Sequence, residues 1–222
     1  GFNSSNRMNR LIAHIRLLRP LNLFTSALAV LLSSLIVHYR GPVEITILVT
    51  FVVISFNAAA NAFNDYIDYE VDKINRPLRP LSLGLVSRES ALFLTLILFG
   101  IGSIAVLELN KTAQLIAFGF ALPLMIIYSW LLKGVPLVGN VVVSTILGMT
   151  FLFSGTAFEN LKAMIIPAAL AFGLTMVREL VKDIADMDGD QSSGLKTYPV
   201  YFGLNNAVKL TLVLAAVIGI GA

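Results

Sequence analysis

The stretch ITILVTFVVISFNAAANAFNDYIDYEVDKINRP, residues 45–77, joins an uncharged apolar run to a dense acidic motif with no helix breaker before Pro77. Ile45 to Phe63 carries no charge. Wound as an α-helix rising about 1.5 Å per residue, it is long enough to cross the roughly 30 Å hydrocarbon core of a bilayer. Runs of the same kind lie on either side: Leu21 to Val37, Ala91 to Leu107, Ala113 to Leu132, Val138 to Phe158, Ala163 to Val177, and one starting at Ala207. Outer-membrane strands would instead show short segments of alternating polarity. The predicted fold is therefore all-α, a polytopic membrane helical bundle with about seven spans. A chain that is 57% hydrophobic, only 13% charged and of mean hydropathy +0.83 does not fit an ordinary soluble domain.

The basic residues give the orientation. Arg7, Arg10, Arg16, Arg19, Lys73, Arg76, Arg79, Arg88, Lys133, Arg178, Lys182, Lys196 and Lys209 fall on the N-terminal side of the predicted bundle, against Arg40, Lys111 and Lys162 opposite. The positive-inside rule then predicts a multi-pass protein of the cell (plasma) membrane, with its N-terminus and acidic motifs cytoplasmic. Of the acids, only Glu44, Glu108 and Glu159 lie on the other side, so both signs of charge crowd one face. A net charge of +3 spread over short polar segments gives no nucleic-acid-binding surface. There is no cysteine and only His14 and His38, which excludes thiolate chemistry and a histidine metal centre. Any metal must be held by oxygen.

Residues 1–20 read as a polar N-terminal segment and interfacial helix without the apolar core of a signal peptide, and residues 21–222 as the transmembrane domain. The last apolar run stops at about 16 residues, short of the roughly 20 a span needs, so the chain is expected to be truncated at its C-terminus. Connections on the outer face are short, whereas those after spans two and six run to about 25 residues. Loops of that length in compact folds carry function or are disordered.

Both long connections are acidic. Asp65, Asp68 and Asp72 stand at i, i+3 and i+7, a spacing that puts them on one helical face, with Asn64 four residues before Asp68. Asp183, Asp186 and Asp190 repeat the spacing 118 residues later. Clustered carboxylates beside hydrocarbon are costly unless a cation compensates them. Oxygen-only ligands select Mg²⁺, Mn²⁺ or Ca²⁺, and Mg²⁺ commonly bridges a few carboxylates to substrate phosphates. The neighbouring Arg76, Arg79, Arg178, Lys182 and Lys196 suit a diphosphate. A single such cluster is often just a solvated helix end, but two of matching spacing on one side argue for a site.

Asn64-Asp65-x-x-Asp68-x-x-x-Asp72 followed by Asn75-Arg76-Pro77, together with Asp183-x-x-Asp186-x-x-x-Asp190, resembles the UbiA superfamily of intramembrane prenyltransferases. Arg19-Pro20-x-Asn22 and Tyr128-Ser129 with Lys133 are similar to family features. Within the superfamily, the two motif segments and Gly194-Leu-Lys-Thr look most like the digeranylgeranylglyceryl phosphate synthases of ether-lipid biosynthesis. The resemblance implies nine spans in a complete chain. It also implies Mg²⁺-dependent transfer of a geranylgeranyl (polyprenyl) group from its diphosphate to geranylgeranylglyceryl phosphate, a lipid-soluble acceptor, within membrane lipid. On this reading Asn64, Asp68 and Asp72 hold one Mg²⁺, and Asp183, Asp186 and Asp190 another. Asn22, Arg76, Arg79, Lys133, Arg178, Lys182 and Lys196 contact substrate. Tyr128 joins Asp65, Asp68, Asp72, Asp183 and Asp186 as catalytic, with Asp65 or another unmetallated carboxylate accepting the acceptor's proton.

Leu81-Ser82-Leu83-Gly84 stands where that branch usually reads Pro-Ser-Gly, which keeps an aromatic or chlorophyllide-like acceptor as the alternative. A divalent-cation channel or carrier is the non-enzyme alternative, against which the near-absence of mid-span charge speaks. Gly148, Gly155 and Gly173 read either as widening a cavity for the isoprenoid tail or as close helix packing. Tyr66, Tyr69, Tyr128, Trp130, Tyr198 and Tyr201 are candidates to face an allylic cation or to sit in an interfacial belt.

Overall fold

The structure is a computed structural model that describes residues 2–221, and side-chain surroundings from residue 9 onward. α1 (Phe2–Leu17) and α2 (Pro20–Ile36) meet at a 48° bend. Arg19 takes a left-handed conformation there (φ 56°), and Pro20, pre-set for a first helical position, opens α2. α3 (Val43–Ile67) is followed by the short α4 (Tyr69–Asn75). α5 (Arg88–Val106) starts where the Ser87 hydroxyl accepts the Ser90 N–H.

The fourth span, Lys111–Leu132, is α6 (Lys111–Ile116) and α7 (Leu122–Ile127) with π-helical stretches at Ala117–Ala121 and Tyr128–Leu132. α8 (Val138–Ala157) and α9 (Ile165–Ala185) form the fifth and sixth. α10 (Met187–Ser192) and α11 (Tyr198–Phe202) are short, and α12 (Leu204–Gly221) is the last. Among the described residues six helices are long and apolar enough to cross a membrane, or seven if the bent α1–α2 pair is counted as one span. The described residues form a multi-pass helical membrane bundle, as the apolar runs predicted.

Helix packing divides the bundle into two cores. The larger holds Val49, Val52 and Phe56 of α3 against Phe99 and Val106 of α5, together with Met125, Val142 and Phe153. The smaller gathers Ala13, Leu17, Ala62, Leu81, Val86 and Ala91 at one end of the bundle. It seats α1 and the loop after Pro77 on the ends of α3 and α5, and so places Arg19 and Arg79. Leu21, Phe24, Leu35, Phe93, Leu96 and Ile166 stay exposed around the girdle, as residues facing lipid tails do.

Neither acidic motif is one unbroken helix. α3 ends at Asp68 and α4 restarts from it, and α9 ends at Asp186 and α10 restarts from it. The middle aspartate of each triad has left helical geometry (ψ 5° and 3°). Neither aspartate side chain caps the new helix, whose first turn carries Glu70 with Asp72, or Asp188 with Asp190, acids that its positive end favours. The uninterrupted helix expected up to Pro77 is corrected accordingly. Asp65 and Asp72 share a face, and Asp68 turns to a different partner.

The glycines pack helices closely. A Cβ on Gly148 would lie 3.1 Å from the Ala168 carbonyl oxygen, one on Gly155 2.6 Å from Met164 Cγ, and one on Gly173 2.8 Å from Ile218 Cδ1. None of the three lines the large cavity described below. Because backbone cannot retreat as a flexible side chain can, Gly148→Val is expected to wedge α9 off α8 and cost about 1–3 kcal/mol. Thermal unfolding in detergent checks this against Gly100→Val, whose added Cβ meets nothing within 4 Å.

Candidate active site

Four helix ends converge on a cavity of about 800 Å³, within the usual range for a substantial ligand pocket. α3 and α4 bring Asn61, Asn64, Asp68, Asp72 and Asn75, followed by Arg76 and Arg79. The end of the fourth span brings Tyr128, Ser129 and Lys133, the start of α8 Gly139 and Asn140, and α9 and α10 Arg178, Glu179, Lys182, Asp183, Asp186 and Asp190. Arg19, from the α1–α2 bend, lines it as well.

Tyr128 and Lys133 would lie about 140° apart on an α-helix, where each residue turns 100°. The π-helical stretch between them, closed by the Lys133 N–H donating to the Tyr128 carbonyl, brings both to the cavity. Such π turns recur at functional sites.

The first triad is held by cations. Asp65 is only 3% exposed, and its Oδ1 accepts from Arg19 Nη2 at 2.7 Å and Arg79 Nη1 at 2.9 Å. Arg79 also bonds Asp72, and Lys133 reaches across from the fourth span to bond Asp68. In the second triad Asn140 Nδ2 donates to Asp183 Oδ2 at 2.9 Å. Ser193 Oγ donates to Asn75 Oδ1 at 2.8 Å and links the ends of α10 and α4.

Asn64 Oδ1 is different: it is buried on the cavity wall with no hydrogen-bond partner. A buried carbonyl oxygen without a donor is costly and is suited to a cation. Burial raises Asp72 above the ordinary carboxylate range, with the charges of Asp68 and Asp65 adding to the shift and Arg79 opposing it. Burial also raises Asp190, with Asp186 adding. For both acids the loss of hydration is the largest cause. The all-oxygen donor set of Asn64, Asp68, Asp72, Asp183, Asp186 and Asp190 thus fits a hard divalent ion. Among the described residues no three of these acids converge on a single metal-sized point, since Asp68 and Asp72 are turned to Lys133 and Arg79.

Most residues singled out in the sequence come together here, but not all do. Asn22 is exposed in the first turn of α2, Lys196 lies outside the lining, and Asp65 is walled off behind its two arginines. Of the aromatic candidates, Tyr128 and Trp130 line the cavity. Tyr66 and Tyr69 are covered by Arg88, and Tyr198 and Tyr201 pack on Phe202. Arg19, Asn140 and Glu179 had not been read as site residues. The signal was there for Asn140, a lone amide in an otherwise apolar run, because polar side chains inside spans are usually functional.

The UbiA prenyltransferase family model matches residues 23–222. The chain belongs to that family. Digeranylgeranylglyceryl phosphate synthase of Methanopyrus kandleri is 38% identical over 208 residues, covering 94% of this chain and 76% of that protein. The synthase of Methanothermobacter thermautotrophicus is 37% identical over 204 residues, covering 91% and 70%. Among solved UbiA-fold structures, a digeranylgeranylglyceryl phosphate synthase superposes with a TM-score of 0.81 at 29% identity, over 95% of this chain and 75% of that one. A UbiA homologue from Archaeoglobus fulgidus bound to GPP and Mg²⁺ gives 0.81 at 21%, over 94% and 75%, and shares the fold. Membership in a prenyltransferase family makes the protein an enzyme and sets the channel reading aside.

Arg79 is the member of this UbiA site that pairs with two acids at once, and its removal leaves Asp72 without a partner and Asp65 with Arg19 alone. Arg79→Met is expected to lower stability by about 3 kcal/mol, the cost of leaving buried charge unpaired. Chemical denaturation in detergent micelles measures it, and an unchanged midpoint would show that Arg19 alone suffices for Asp65.

Proposed function

We propose that the protein transfers a geranylgeranyl group from its diphosphate to geranylgeranylglyceryl phosphate, in the synthesis of ether-linked membrane lipid. The observation that carries the reading is the meeting of both aspartate triads, the partnerless Asn64 oxygen and the cations Arg76, Lys133, Arg178 and Lys182 on one cavity at the ends of apolar spans. The named relatives support the choice of donor and acceptor.

Asn64, Asp68 and Asp72 would hold one Mg²⁺, and Asp183, Asp186 and Asp190 another. Mg²⁺ held there would supply positive charge to balance that of a departing diphosphate. Arg76, Arg178 and Lys182 grip the diphosphate oxygens from the rim, with arginine offering two parallel donors to each phosphate. Lys133 is positioned to release Asp68 and turn to the same oxygens. The apolar spans below the charged ring receive the isoprenoid chain and keep water from the allylic cation. Tyr128, which lines the same cavity as Lys133, would offer its ring face to the allylic cation.

The bundle is oriented with the charged cavity at the cytoplasmic face of the cell membrane, and α1 lies along the interface. In support, Ala13 and Leu17 are packed inward while Leu11, Ile12 and Ile15 are exposed alongside Arg10 and Arg16.

Transfer of radiolabelled geranylgeranyl diphosphate, measured by a full-length protein with a panel of geranylgeranylglyceryl phosphate, 4-hydroxybenzoate and a chlorophyllide, tests the assignment. Product is expected with the first acceptor and only in the presence of Mg²⁺. Asp68→Ala and Asp183→Ala should each lower the rate by roughly 100-fold or more, and undiminished activity in either would remove that triad from the metal site. Because these 222 residues contain no cysteine, orientation can be read from single-cysteine variants of this chain. Lys196→Cys is expected to react with an impermeant maleimide only from the cytoplasmic side, and Lys162→Cys only from outside.

A further inference from the structure

Six carboxylates line the cavity, and five belong to the two triads. The sixth, Glu179, is the only cavity acid among the described residues that neither triad uses. It sits one turn before Asp183 on α9, and therefore on the same helical face. It is 9% exposed. Its pairing is lopsided: Arg178 Nη2 donates to Oε1 at 2.9 Å and Lys182 Nζ lies 3.5 Å from Oε2, yet the side chains of these cations are 69% and 51% exposed against 12% for the glutamate. The cations point out toward the rim and the carboxylate points in. A solubilising surface pair would face water with both members. An acid turned inward at the end of a span is retained at a cost and calls for a use.

Transfer to a hydroxyl needs a proton acceptor. As the bond from the allylic carbon to the diphosphate oxygen breaks, the electron pair leaves with the diphosphate. The acceptor oxygen then forms the new C–O bond, and its hydrogen must depart for the ether to be neutral. Asp65 does not line the cavity, and its inner oxygen is already taken by two arginines. The triad acids and Asn64 are committed to the metal. Resting on the transferase reading above, we propose that Glu179 is the catalytic base that takes the acceptor hydroxyl's proton.

The test compares full-length wild type, Glu179→Gln and Glu179→Asp. Mg²⁺-dependent binding of geranylgeranyl diphosphate is expected to stay within twofold of wild type in the Gln variant. The turnover number for ether formation should fall by about 100-fold or more, the usual worth of a positioned base, with part restored by Asp. An acceptor analogue carrying a thiol in place of the reacting hydroxyl gives up its proton far more readily than an alcohol and should recover most of the lost rate in Glu179→Gln. A purely structural defect would not respond to it. Undiminished ether formation by Glu179→Gln overturns the proposal and leaves the departing diphosphate as the base. Diphosphate binding that falls in step with turnover also overturns it, because Glu179 would then serve only to hold Arg178 and Lys182. Wild-type protein that binds the diphosphate and alkylates no acceptor removes the transferase reading itself, and this proposal with it.

Discussion

Negative charge held at the ends of hydrocarbon spans must be compensated, and the architecture of this end of the bundle follows from that need. Asp65 is buried almost completely, and Arg19 and Arg79 converge on a single one of its oxygens. Arg79 reaches on to Asp72. The arginines arrive from different parts of the chain, Arg19 from the bend between α1 and α2 and Arg79 from the loop after Pro77, and the small core around Leu17, Ala62, Leu81 and Val86 fastens both segments in place. Apolar packing and ion pairing therefore cooperate: the first sets where the cations stand, and the second holds the end of α3. Losing either exposes the same pair of acids.

Compensation by the protein is incomplete, and the incomplete part is the functional part. Burial still raises Asp72 and Asp190, and the Asn64 oxygen has no donor. A structural ion-pair network would be expected to satisfy its members. This one leaves the Asn64 oxygen without a donor and leaves Arg178 and Lys182 facing outward at the rim. The imbalance suits a ligand that carries its own phosphates and metal ions, for which both halves of the ring then have partners.

Two departures from regular helix shape the ring. Each acidic segment breaks at its middle aspartate, which lets Asp68 turn to the fourth span while Asp65 and Asp72 face Arg79. The fourth span, in turn, loosens into a π-helical stretch that brings Tyr128 and Lys133 to the same side. Close helix contacts at Gly148 and Gly155 keep α8 beside the chain that follows it, so that Asn140 at the head of α8 meets Asp183 near the foot of α9. The chemistry sits on rigid helix ends.

The amino-acid order by itself was enough for the all-helical membrane bundle, the position of each span, the gathering of charge on one face and the two triads, because uninterrupted apolar length and residue spacing are local properties, although the sixth helix runs on past Val177 to Ala185. It was also enough to name the family. The helix breaks at Asp68 and Asp186 were not legible, since a residue suited to the start of a helix is also tolerated within one. Nor was the withdrawal of Asp65 behind two arginines, or the inward turn of Glu179 between two outward cations. Those outcomes depend on which side chains from distant segments compete for one oxygen, and on which face of α9 meets the cavity. Only tertiary packing decides them, because burial and charge pairing are settled by neighbours far apart in the chain.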